Sequence, residues 1–126
     1  MPRKPADVLR EDRIRLTHML QAAQRVERYC TGLDRAALEA DEMRLLAVVK
    51  SIEVIGEAST KVSDATCNRV MGVDWRGVRR MRNRLIHGYD TIDAARVWDA
   101  VEIDVPPLIA ALSTALASWP PDQPLA

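Results

Sequence analysis

The stretch DWRGVRRMRNRLIHGYD, residues 74–90, decides the fold because it contains a complete helix together with both of its end signals. Asp74 is a typical N-cap residue, and Gly88 is a typical residue for ending a helix. Between them, apolar residues recur at helical spacing, which predicts a helix from Trp75 to about His87. We expect the chain to break at Gly88 and to leave His87 in the last turn or cap of this helix.

The same stretch concentrates the positive charge of the chain. Five arginines and no acid lie between Trp75 and His87, whereas the other 113 residues carry 13 basic and 18 acidic groups. The whole 126-residue chain has a formal net charge of zero, so its overall charge does not draw it to nucleic acid. Any site for an anion therefore has to be local, and this segment is the candidate.

Arg82 is the unusual residue of the predicted helix. On a helical wheel of about 100° per residue, it falls within the apolar arc. That arc consists of Trp75, Val78, Met81, Leu85 and Ile86. A buried, unpaired arginine is costly, and three outcomes stay open. The side chain reaches out to solvent, it pairs with an acid such as Glu53 or Glu57, or it lies at a subunit interface and binds an anion.

The remainder of the chain predicts three further main helices. One is capped by Asp7 and runs to about Cys30, where Thr31 and Gly32 end it. A short turn capped by Asp34 leads to a helix that Asp41 opens and that extends to about Val62. Within it, Gly56 weakens the helix by about 1 kcal/mol relative to Ala, so we expect a neighbouring helix to approach closely there.

The last main helix begins after Asp93, and Pro106 and Pro107 interrupt its apolar stripe. We expect a kink or two helices in series at that point, and a short link over residues 63–72. No segment shows the alternation of a strand. The sequence therefore predicts an all-α antiparallel bundle of four to five helices, with one domain over residues 1–126 and frayed ends at 1–5 and 119–126.

Cysteine usage and the absence of long apolar runs indicate the cellular compartment of the protein. Cys30 and Cys67 have neither metal-ligand nor disulfide-framework spacing, which favours free thiols in a reducing compartment. The N-terminal segment has no apolar core of a secretory signal. No apolar run approaches the roughly 20 residues that span a bilayer. We therefore predict a cytoplasmic protein without a membrane partner.

At residues 82–89 the chain resembles the HEPN superfamily. Arg82, Asn83 and His87 fit the Arg-x4-6-His motif with its polar second residue, and Tyr89 extends it to the Arg-x4-His-x-Tyr form of HepT-like toxins. Four blocks agree in order and spacing, over about residues 5–118. They are ERYCTGLDRAALEADEM (27–43), IEVIGEAS (52–59), DWRGVRRMRNRLIHGYD (74–90) and VWDAVEIDVPPL (97–108).

The resemblance implies a metal-independent endoribonuclease toxin with no cofactor. Such proteins are HEPN-like bundles that dimerise through the motif-bearing helices, so that two motifs line one cleft. His87 would be the general base or acid, Arg82 would bind the scissile phosphate, and Asn83 would orient either group. Arg79, Arg80 and Arg84 would contact flanking phosphates. The expected product carries a 2′,3′-cyclic phosphate.

The resemblance also implies control by a partner. In HepT-like toxins, the tyrosine at the position of Tyr89 is modified with AMP by MntA, a minimal nucleotidyltransferase antitoxin. A bulky anionic group two residues from His87 would block the cleft and repel RNA. The alternative from another functional class is a non-catalytic HEPN-type helical module that binds a nucleotide or a partner protein.

Overall fold

The computed structural model describes residues 3–87 and 90–120, with the backbone but not the side chain of His87. The α-helices are α1 (Pro5–Cys30), α2 (Arg35–Ala40), α3 (Glu42–Ser59), α4 (Asp64–Arg69), α5 (Trp75–Leu85), α6 (Ala94–Asp99) and α7 (Val105–Ala117). A π-helical turn, Ala100–Asp104, joins α6 to α7, and β1 (Ile86–His87) pairs with β2 (Thr91–Ile92). Of the predicted frayed ends, residues 1–2 and 121–126 lie outside the described residues.

The helices form the predicted all-α bundle around one core. α1 packs against α3 and α7, and α3 also packs against α5. The largest fully buried side chains come from all four of these helices and from α2 and α6. They are Leu16, Met19, Val26, Leu38, Val48, Ile52, Ile55, Met81, Leu85, Val97, Val105 and Leu112. Burial of this apolar surface is the main favourable term in folding.

Aspartate side chains begin four of the helices, as the sequence predicts. The carboxylates of Asp34, Asp41, Asp74 and Asp93 each accept a hydrogen bond from the backbone N–H three residues further on, at 2.8–3.1 Å. The prediction for Asp7 was wrong, because α1 begins at Pro5 with Lys4 as its N-cap. Proline is well suited to the first turn, where its missing N–H has no helical partner. Asp7 instead lies in that turn and accepts a hydrogen bond from Arg10.

A buried carboxylate explains why α3 ends earlier than predicted. The helix stops at Ser59 rather than near Val62. Four residues later, the backbone N–H and hydroxyl of Ser63 donate to Asp12 of α1 at 3.0 and 2.6 Å, and the Thr66 hydroxyl donates to the same carboxylate at 2.6 Å. Ser63 also caps α4, which forms the predicted short link. Asp12 therefore fixes the α3–α4 junction to α1.

The end of α5 corrects two predictions. The helix ends at Leu85, not near His87, and the chain continues as a short antiparallel pair in which His87 lies opposite Thr91. His87 is therefore a strand residue and not part of a last helical turn, and the predicted stop at Gly88 lies outside the described residues. The β-branched residues Ile86, Thr91 and Ile92 favour an extended backbone. The search for alternating apolar and polar residues could not detect these strands, because each is only two residues long.

The segment after Asp93 is interrupted as predicted, with two α-helices in series. The break is the π-helical turn, and Pro106 and Pro107 follow it in the first turn of α7, where proline is tolerated. By length and composition alone, the helical segment Ala94–Ala117 is apolar enough to cross a membrane, contrary to the expectation that no run approaches that length. In the bundle, one side of this segment is buried against the core through Val97, Val105 and Leu112.

Candidate functional site

Helix α5 lies close to α3 at Gly56. A Cβ atom at position 56 would lie 3.4 Å from the carbonyl oxygen of Val78 and 3.8 Å from that of Arg79. The predicted close approach at this glycine is thus present, and α5 is the helix that makes it. As a result, the side of α5 that carries Arg79 and Arg82 faces α3.

Arg82 pairs with Glu53 of α3, which is one of the three outcomes left open by the sequence. Its Nε donates to Glu53 Oε1 at 2.9 Å. The Arg82 side chain is 52% exposed and that of Glu53 is 29% exposed, so Arg82 also reaches solvent although it lies within the apolar arc of the wheel. On the other side of the same carboxylate, Nζ of Lys50 lies 3.8 Å from Oε2. The row Lys50, Glu53 and Arg82 thus presents two cations and one anion to solvent.

Arg79 points inward. Its Nη2 lies 3.4 Å from both the Ser59 carbonyl oxygen at the end of α3 and Sγ of Cys67 on α4. A cation is favourable at the C-terminal end of a helix, where backbone carbonyls lack helical partners. Burial raises the pKa of the Cys67 thiol, and the nearby Arg79 charge opposes that shift. Cys67 and Cys30 are both free cysteines.

The other predicted site residues of α5 lie on its exposed side. Arg80, Asn83 and Arg84 are exposed, as is Arg76. Nη2 of Arg84 lies 3.6 Å from Oδ2 of Asp104 in the π-helical turn, and both side chains are substantially exposed. Exposed ion pairs of this kind contribute little to stability, so Arg84 is free to exchange its partner for another anion.

The C-terminal end of α5 is held by the beginning of α6. The backbone N–H of Asp93 donates to the Leu85 carbonyl at 2.7 Å, and Nη1 of Arg96 lies 3.5 Å from the Arg84 carbonyl oxygen. These contacts satisfy carbonyls that the end of a helix leaves without partners. They fix the last turn of α5, which carries Arg82 and Asn83, and they place the cation of Arg96 beside Arg84.

The backbone of His87 follows directly from this turn, since Ile86 and His87 form β1. Pairing of β1 with β2 places His87 opposite Thr91. Thr91 belongs to the chain segment that leads into α6. The His87 side chain and Tyr89 lie outside what the structure describes. The structure therefore fixes the backbone path between Arg82 and His87, and the proximity of their side chains stays a prediction.

Three contributors were absent from the predicted site. Lys50 and Arg96 join the cationic surface only through the fold, because they lie on other helices. From the sequence, Glu53 was a possible partner for Arg82 but had no predicted role in the site. The i, i+3 spacing of Lys50 and Glu53 was the sequence signal that these two side chains lie next to each other on α3. Among the described side chains, no group of three or more His, Cys, Asp or Glu could hold a metal ion.

The structure is an all-α bundle in which exposed arginines of α5 lie before and within an Arg-x4-His motif, which makes it a helical domain with a cationic surface. Comparison with known proteins gives the family. The sequence model of HepT-like ribonucleases matches residues 19–115, which include α5 and the whole motif. The chain belongs to the HepT-like ribonuclease family.

Individual relatives agree with this assignment. A protein of Thermococcus cleftensis named as a probable ribonuclease HepT is 29% identical over 93 residues, which are 74% of this chain and 84% of the relative. A Methanocaldococcus jannaschii protein named as a candidate RNase is 32% identical over 91 residues, covering 72% of this chain and 84% of its own. A similarly named protein of Caldanaerobacter subterraneus subsp. tengcongensis is 27% identical over 93 residues, covering 74% and 83%. No solved structure matches the chain significantly.

Proposed function

We propose that the protein is a metal-independent endoribonuclease, the toxin of a toxin–antitoxin pair. The observation that carries the proposal is the family match across residues 19–115, which includes Arg82 and His87. The structure adds that Arg82 is half exposed on a cationic surface and therefore accessible to a phosphate. RNA is the polyanion that the names of the relatives indicate.

In the proposed reaction, the 2′-hydroxyl oxygen of one nucleotide attacks the adjacent phosphorus, and the 5′-oxygen of the next nucleotide leaves. His87 removes the proton from the 2′-hydroxyl or donates one to the departing oxygen, tasks that suit an imidazole near neutral pH. Arg82 stabilises the charge that develops on the phosphate oxygens, and Asn83, exposed one residue further on, orients the phosphate or the imidazole. The products are a 2′,3′-cyclic phosphate and a 5′-hydroxyl.

Flanking phosphates are proposed to bind along α5. Arg80 and Arg84 are exposed and suited to direct contact. Arg79 lies against Ser59 and Cys67, so its proposed contribution is attraction through its charge rather than a direct contact. Contacts of this kind give salt-dependent binding with little sequence preference.

Dimerisation and control complete the proposal. Two copies are proposed to join through their motif-bearing helices, so that two Arg82–His87 pairs line one cleft in a cytoplasmic homodimer. An MntA-like nucleotidyltransferase is proposed to inactivate the toxin by attaching AMP to Tyr89. Mass spectrometry after co-expression with such an antitoxin should show that mass on Tyr89, and full neutralisation with an unmodified Tyr89 would exclude this control.

The nuclease proposal is tested with purified protein, a labelled single-stranded RNA and excess chelator. We expect the wild type to cleave the RNA, and Arg82→Ala and His87→Ala each to reduce the rate by about 100-fold or more. Arg35→Ala, which removes an exposed arginine of α2, is the matched control and should retain activity. If both motif variants cleave like the wild type, the proposal is wrong. If no form cleaves RNA but the wild type binds a nucleotide, the non-catalytic alternative holds.

A further inference from the structure

We propose that Glu53 is a positioning residue for Arg82, a role that rests on the nuclease function proposed above. Glu53 lies on α3, outside the motif, and its Oε1 accepts a hydrogen bond from Arg82 Nε at 2.9 Å. The contact joins two helices that are already held close together at Gly56, one turn further along α3. The carboxylate therefore has a fixed position relative to α5.

The edge of the guanidinium that Glu53 occupies is the important detail. Among the side chains that the structure describes, Arg82 has no other hydrogen bond, so none of these side chains occupies its two terminal amino groups. Those two groups form one of the two edges with which a guanidinium binds a phosphate through a pair of parallel hydrogen bonds. A carboxylate at Nε holds the plane of the guanidinium while leaving that edge free.

Charge is balanced so that the carboxylate does not repel the phosphate. Lys50 Nζ lies 3.8 Å from the second oxygen of Glu53, and its side chain is 75% exposed. The group of Lys50, Glu53 and Arg82 carries a formal charge of +1, and it continues into the arginine surface of α5. A free arginine loses considerable side-chain entropy when it is immobilised, and a pre-oriented one loses less on binding.

The opposite role is that Glu53 blocks Arg82 by competing with the phosphate. The two roles predict opposite signs. For a positioning residue, removal of the carboxylate lowers kcat and hardly changes KM, because orientation matters most in the transition state. For a blocking residue, the same change raises activity or lowers KM.

The experiment compares four forms: wild type, Glu53→Ala, Glu53→Gln and Glu57→Ala. Glu57 is the matched control, since it is an exposed glutamate one turn further along α3. In metal-free RNA cleavage, we expect Glu53→Ala to lower kcat by about 10- to 100-fold, the range for a misplaced catalytic group. Its KM should stay within about twofold of the wild type. Glu53→Gln keeps an oxygen that accepts from Nε and should recover most of the loss, whereas Glu57→Ala should resemble the wild type.

A second measurement does not depend on activity. In ¹⁵N-labelled protein, the Nε–H signal of Arg82, assigned by its absence in Arg82→Lys, should exchange slowly with solvent. Glu53→Ala should accelerate this exchange, while Glu53→Gln and Glu57→Ala should leave it slow. Thermal unfolding should be similar in all four forms, because the Arg82–Glu53 pair is half exposed.

The outcomes separate the two proposals. Unchanged kcat in Glu53→Ala beside an active wild type, or increased activity, would overturn the positioning role. Unchanged exchange of the Arg82 Nε–H in Glu53→Ala would overturn it as well. A wild type that does not cleave RNA would overturn the nuclease function and the catalytic part of this inference, whereas the exchange measurement would still decide whether Glu53 restrains Arg82.

Discussion

Arg79 and Arg80 are neighbours in sequence, yet their guanidinium groups lie in different surroundings. Arg79 reaches the end of α3 and Cys67, whereas Arg80 is exposed. The helical wheel singled out Arg82 as the arginine on the apolar arc, and the family resemblance gave Arg79 and Arg80 the same role of contacting flanking phosphates. The reason for their different surroundings is the contact of α3 with α5 at Gly56, which turns the side bearing Arg79 and Arg82 toward α3. Side-chain length then lets Arg82 reach solvent, while Arg79 meets carbonyl and sulfur partners.

This difference predicts that the two arginines respond differently to the same substitution. Arg80→Met should weaken RNA binding and reduce the slope of log affinity against log salt by about 0.7, the value for one phosphate contact to a single strand. Arg79→Met should change that slope less and should lower the free energy of unfolding by about 1 kcal/mol through its lost hydrogen bonds. Binding titrations at several salt concentrations and urea unfolding measure the two effects. Equal slopes for the two variants would contradict the assignment.

Four helix starts were predictable from the sequence, whereas the start of α1 and the ends of α3 and α5 were not. Asp34, Asp41, Asp74 and Asp93 act as caps through local hydrogen bonds, which depend only on neighbours in sequence. The end of α5 depends on contacts that sequence spacing does not contain. Its terminal carbonyl bonds to the Asp93 N–H, and the next residues pair with β2. The position of His87 in a strand followed from these longer-range contacts.

The approach of α5 to α3 gives a prediction about Gly56. Gly56→Ala should change the free energy of unfolding by less than about 1 kcal/mol, because its gain in helix propensity offsets a tight contact with Val78. Gly56→Val adds an isopropyl group at the crossing and should cost about 1–3 kcal/mol. It should also reduce RNA cleavage, because Arg82 would move away from Glu53.

Urea unfolding of the Gly56 variants needs a control for the propensity of valine itself. Glu57→Val provides it, since position 57 is the next residue of α3 and is exposed. A Gly56→Val protein as stable as Glu57→Val would show that the helices do not meet closely at this point.

For the whole molecule, the helical bundle and the motif were predictable from the sequence. The structure was needed to show which residues of other helices lie next to the motif. The apolar residues of the four long helical segments mark a single core, which is why the architecture was predictable. The surface around Arg82 was only partly predictable, because Lys50, Glu53 and Arg96 reach it from α3 and α6. No local pattern brings these residues together. Family membership then connects this surface with ribonucleases.

Participation of the RNA 2′-hydroxyl, without a metal ion, is the feature that most directly distinguishes the proposed chemistry. Once a cleavage position has been mapped, the same RNA is prepared with a single 2′-deoxynucleotide on the 5′ side of that bond. With wild-type protein in excess chelator, we expect the unmodified RNA to yield a 2′,3′-cyclic phosphate and the deoxy-substituted bond to stay intact. The His87→Ala variant should cleave neither RNA. Cleavage of the deoxy-substituted bond at the normal rate would contradict the proposed mechanism.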